Sequence, residues 1–93
     1  MSRPVRKKPA DLTPAWPDEP IEDPIGEVAR GFALRLREAV GGRSVRAAAA
    51  ACQVSHATVL GILEGRVWPD LVTIARLERG LEADLWPGWA VRG

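Results

Sequence analysis

The 93-residue chain sets 13 Lys and Arg against 12 Asp and Glu, a net charge of +1, and is 46% apolar with one His and one Cys. This length supports one domain at most, and the solitary Cys52 excludes an internal disulfide, a cysteine zinc cluster and a CxxC redox pair. The longest apolar run, 47–52, is far short of a membrane span, and no apolar stretch follows the basic N-terminus, so no secretory signal, no membrane partner and a cytoplasmic location are expected.

Residues 1–24 hold six of the eight prolines: Pro4, Pro9, Pro14, Pro17, Pro20 and Pro24. Proline lacks a backbone donor and stiffens φ, which predicts an extended, disordered arm over this stretch. The arm is basic first (Arg3, Arg6, Lys7, Lys8) and acidic later (Asp18, Glu19, Glu22, Asp23). A basic arm of this kind either enters a DNA minor groove or simply solubilises the chain. Asp23-Pro24 reads as an N-cap followed by proline in the first helical turn.

From Ile25 the pattern turns helical. Val28, Ala29, Phe32, Ala33, Leu36 and Val40 form an inward stripe, with Arg30, Arg35, Arg37 and Glu38 outside it. Gly41-Gly42 stops this helix. A second helix is predicted from about 45 to 52, where five consecutive alanines favour helix and allow a crossing partner to approach closely. Cys52 on its inner side is a small buried hydrophobe.

Ser44 and Ser55 each precede a helical pattern, placed to cap the first free N–H groups. Gln53-Val54 forms the turn between the second and third helices, and Gly65 supplies a positive φ after the third. In the third helix, about 56–64, Val59 and Ile62 fall on one face with Leu63 on its flank. His56, Ala57, Leu60, Gly61 and Glu64 fall on the other. The first group can anchor the helix while the second is presented outward.

Pro69-Asp70 opens a fourth helix, whose inward residues Leu71, Ile74, Leu77 and Leu81 recur at intervals of three, three and four, and Gly80 weakens its end. Trp68 is expected to pack across the junction before it. Leu85, Trp86, Pro87, Gly88 and Trp89 form a short aromatic tail over 86–93 and its approach. No segment alternates with period two for long, so the chain is all-α. Charge is unevenly placed: residues 30–66 hold six Arg (Arg30, Arg35, Arg37, Arg43, Arg46, Arg66) against Glu38 and Glu64. That excess is either a solvated helical face or a surface for phosphate.

Over about residues 32–85 the chain resembles the phage repressor/Cro-like (XRE-type) helix-turn-helix family. The likeness rests on Phe32 and Leu36, on Ser44 and Ala49, and on Val54-Ser55, Thr58-Val59, Ile62-Leu63 and Gly65-Arg66. Pro69-Asp70-Leu71, Ile74, Leu77 and Leu81 complete it. The resemblance implies a compact four- to five-helix bundle of the lambda-repressor-like type over 25–85. It implies double-stranded DNA as partner, with the third helix in the major groove. Carried across, the base-facing candidates are Ser55, His56, Ala57, Leu60 and Gly61, and the phosphate contacts are Arg43, Ser44, Arg46 and Arg66. The family places glycine in the turn where this chain has Gln53. Its relatives also carry more hydrogen-bonding groups on the third helix than Ala57, Leu60 and Gly61 provide.

These features are those of a bacterial or phage transcriptional regulator, a repressor, working as a homodimer through Trp86 and Trp89. The rival is a protein-interaction module, an antitoxin or anti-regulator on the same fold with another protein as partner. No activated Ser, His and acid set and no phosphate-cradling glycine loop is evident, so no enzyme, catalytic residue, metal or cofactor is expected.

Overall fold

The computed structural model describes residues 7–88. A 3-10 turn at Pro9–Leu12 precedes four helices: α1 at Pro24–Val40, α2 at Val45–Cys52, α3 at His56–Leu63 and α4 at Leu71–Leu81. No strand occurs among the described residues. The protein is all-α.

Each helix begins where a side chain can satisfy its first N–H groups. Asp23 accepts from Gly26 N–H, Ser44 from Ala47 N–H, Ser55 from Thr58 N–H and Asp70 from Thr73 N–H. The stripe expected on α1 is buried in full, and Phe32 and Leu36 are at most 1% exposed. They meet Ala48, Ala49 and Cys52 of α2, Val59 and Ile62 of α3, Leu77 and Leu81 of α4, and Leu85 beyond it. Gly80 serves the contact between α4 and the end of α2. A Cβ on Gly80 would lie 2.6 Å from Cys52 Cα, so α4 crosses α2 almost backbone to backbone. Cys52 sits at that crossing, its Sγ donating toward Leu77 O, and burial pushes its thiol pKa up.

Two expectations are corrected. Leu71 is 80% exposed and Ile74 only half-buried. The first turn of α4 projects past the core, whose edge the helix meets at Ile74 and whose interior it enters at Leu77.

The larger correction concerns the arm. Residues 9–23 are packed rather than disordered: Pro9 and Ile21 are buried, and Trp16 lies against the core cluster. Proline stiffness still allows this, because beyond the 3-10 turn at Pro9–Leu12 the segment packs as a strap without needing helical bonds. The folded unit therefore starts well before residue 25. Glu27 holds the strap to α1. Its Oε1 accepts from Ile21 N–H at 2.8 Å and from Arg30 Nε at 2.9 Å, its Oε2 accepts from Arg30 Nη2 at 2.6 Å, and Arg30 Nη1 donates to Pro17 O.

The Glu27 and Arg30 side chains are each only 16% exposed. The hydrogen bonds from Arg30 hold the Glu27 carboxyl below its usual 4.5. The sign follows: the stabilisation is complete above that usual value and is lost as pH falls through the lowered folded one. Glu27→Gln is expected to cost about 1–2 kcal/mol at neutral pH. In thermal melts against pH, the gap to the parent should close on acidification; a gap independent of pH would refute the assignment.

Candidate nucleic-acid interface

Eight-residue helices are too short to persist alone, so α2 and α3 depend on what closes their ends and backs their faces. At the start of α2, Ser44 Oγ accepts from Ala47 N–H at 3.0 Å. That bond leaves the hydroxyl proton for an outward partner. Arg43 and Arg46 flank this cap, both exposed.

The turn then follows a single recipe. Gln53 adopts the left-handed conformation (φ 58°, ψ 39°), and Val54 N–H donates to Ala49 O at 3.2 Å. α3 closes in the same way, with Gly65 at φ 72° and Arg66 N–H donating to Gly61 O at 2.8 Å. The turn expected at 53–54 and the positive φ expected at Gly65 are both present.

α3 is braced from behind by Val59 and Ile62, 0% and 2% exposed. On the other side Ser55 and Ala57 are exposed, and His56 and Leu60 are half-buried. Ser55 Oγ accepts from Thr58 N–H at 3.0 Å and lies 2.7 Å from Thr58 Oγ1. When Thr58 donates in that pair, the Ser55 proton points elsewhere. Gly61, expected among the outward residues, is buried. The chain leaving α3 folds back over that flank, and a Cβ on Gly61 would lie 3.3 Å from Val67 Cγ2.

Arg66 stands at the far end of α3. Its Nε donates to Glu64 Oε1 at 2.8 Å, and the two side chains are 47% and 52% exposed. An ion pair so exposed is worth about 0–1 kcal/mol, so it opens at little cost. Of the six arginines in 30–66, Arg30 is built into the fold through Glu27 and Pro17, and Arg35 Nη1 reaches Trp86 O at 3.5 Å.

Lys7 and Lys8 are exposed; Arg3, Arg6 and Trp89 lie outside the described residues. Trp86 is 54% exposed and shares an apolar groove with Pro69, Leu71, Ile74 and Ala75. Trp68 is half-buried at the α3–α4 junction, and its Nε1 donates to Lys7 O at 2.8 Å. Sequence reasoning missed Ala10 and Trp16, whose N–H and Nε1 donate to Gly65 O and Leu63 O, both at 2.9 Å. The signal was a large aromatic standing inside a proline-rich stretch.

No group of three His, Cys, Asp or Glu able to hold a metal occurs among the described residues. No helix among them is long and apolar enough to cross a membrane.

No protein-family model matches the chain, and no curated protein matches it. Among solved structures it is similar to the restriction-modification controller protein C.AhdI from Aeromonas hydrophila. The identity is 29% with a TM-score of 0.53, over 61% of this chain and 86% of that one. The likeness supports the helix-turn-helix fold built above from residues 44–65.

Gln53 in the left-handed region carries strain of about 1 kcal/mol that glycine would not. Gln53→Gly is therefore expected to raise the thermal midpoint by about 2–5 °C, and Gln53→Val to lower it. Identical midpoints for all three proteins would show the turn to be relaxed.

Proposed function

We propose that this protein is a sequence-specific DNA-binding transcriptional regulator, acting as a repressor by occupying an operator. α3 enters the major groove with Ser55, His56, Ala57 and Leu60 toward base edges. Gly61 is left out of this set because Val67 covers its flank. Arg43, Ser44, Arg46 and Arg66 meet phosphates. The observation that carries the reading is α3 itself: two aliphatic residues seat one face in the core while Ser55 and Ala57 stand open on the other. Similarity to a restriction-modification controller protein supports a regulatory role over an enzymatic one.

With Ala57 and Leu60 offering only apolar contact, such as to thymine methyls, direct readout rests on His56 and Ser55, and DNA shape supplements it. The basic residues Arg3, Arg6, Lys7 and Lys8 join the phosphate or minor-groove contacts next to α3.

Sites selected from a random duplex library provide the test. Arg46→Ala and Arg66→Ala should each weaken binding to every sequence and lower the salt slope by about one unit. His56→Ala should change the preferred site instead. Unchanged affinity in both arginine variants would overturn the docking.

One such domain covers little DNA, and two heads about one helical turn apart bind usefully. We place the homodimer contact at the groove of Leu71, Ile74, Ala75 and Trp86, with a second copy as occupant. Two of its residues are among the few large exposed hydrophobics, and the sequence continues past it with Trp89 and Val91. In sedimentation, Leu71→Glu should convert a dimer to monomer and weaken DNA binding. A monomeric parent, free and on DNA, would defeat the dimer. Co-purification of an unrelated protein on this groove would favour the interaction-module reading.

A further inference from the structure

Three hydrogen bonds tie the N-terminal strap to the exit of α3, all between residues far apart in sequence. Trp16 Nε1 donates to Leu63 O at 2.9 Å, Ala10 N–H donates to Gly65 O at 2.9 Å, and Trp68 Nε1 donates to Lys7 O at 2.8 Å. The two indoles face opposite ways along the chain: one reaches from strap to helix end, the other from the loop after the helix back to the strap. Packing reinforces them. A Cβ on Gly65 would lie 2.7 Å from Trp16 Cε2 and 2.8 Å from Ala10 Cβ, so the strap rests directly on the backbone at the helix stop. Pro9 is among the most fully buried side chains, and Glu27 and Arg30 hold the other end of the strap to α1.

Two consequences follow from this geometry. The last carbonyls of a helix have no partner inside it, and here Leu63 O at the end of α3 and Gly65 O just past it are both held by the strap. The clasp also decides where the basic arm begins. Lys7 is bonded through its own carbonyl to Trp68, two residues from Arg66. Lys7 and Lys8 therefore lie at the same edge of the fold as the arginine placed on a phosphate.

We infer that Trp16 and Trp68 are positioning residues for DNA binding: their clasp fixes the C-terminal end of α3 and delivers Lys7 and Lys8 to the phosphates beside Arg66. The inference rests on the DNA-binding reading above. It adds to it a role for the strap, which touches no nucleic acid through its tryptophans.

The test is a double-mutant cycle on the full chain, using the duplex that the parent protein selects from a random library. Lys7→Ala with Lys8→Ala should lower the salt slope by about one to two units in the parent. In a Trp16→Phe, Trp68→Phe background, which keeps an aromatic ring at each position but removes both donors, the same pair of lysine substitutions should have much less effect. The aromatic double variant itself should bind roughly tenfold more weakly at a temperature where its melt shows it folded. Trp16→Ala should go further in the same direction.

Hydrogen exchange supplies a readout that general destabilisation would not mimic. Amides at Glu64, Gly65 and Arg66 should speed up in the Phe variants while those of α1 and α4 keep the parent rates. Equal lysine effects in both backgrounds, or uniform acceleration of exchange, would overturn the clasp. A parent protein that selects no duplex would instead overturn the DNA reading, and the inference with it.

Discussion

The constraint on which this molecule turns is that α3 has only eight residues. Nucleation of so short a helix is unfavourable in water, and no run of strong helix formers helps it: His56, Thr58, Val59 and Gly61 are all mediocre or poor. Its order is borrowed. Ser55 closes the N-terminus, the left-handed Gly65 closes the C-terminus, and Val59 and Ile62 anchor one face in a core whose centre is Phe32 and Leu36. A helix held at both ends and along its back can present a face without that face contributing to stability. This separation permits Ala57 to stand exposed on a helix that does not depend on it.

The same closing device recurs around the bundle. α2, α3 and α4 all end with a left-handed residue followed by an N–H that reaches back five residues, at Gln53, Gly65 and Glu82. Only one of the three is glycine. At Gln53 and Glu82 a side chain is tolerated because space exists around it. At Gly65 it is not, since Trp16 and Ala10 occupy the place of a Cβ. Conformation favours glycine at all three stops, and only at Gly65 does proximity also require it.

How much of this was legible in the sequence varied with the range of the interaction. The α1 stripe, the serine and aspartate caps, the Gln53 turn and the Gly65 stop are local, set by spacing and by residues within four or five positions. Each was readable. The inner face of α4 was readable except at its first residue, because periodicity tells which side of a helix is apolar and not how far the core extends along it. Leu71 has the right phase and lies outside. Gly61 failed for a related reason: a helical wheel shows its angle, not the Val67 that returns across it.

The arm was misread because proline content reports what a segment cannot form locally and is silent on what it can pack against. Pro9 is buried at the start of a 3-10 turn, Trp16 and Ile21 pack outside any helix, and Asp23 caps α1 as its place before Pro24 indicates. The charge map changes accordingly. Once Arg30 is assigned to the strap, three of the remaining arginines between residues 30 and 66, Arg43, Arg46 and Arg66, bracket the helix-turn-helix, and Arg37 stands exposed on α1. A composition count spreads six arginines evenly over that stretch. The fold sorts them: Arg30 is built into the strap, Arg35 reaches Trp86 O, and Arg37, Arg43, Arg46 and Arg66 stand exposed.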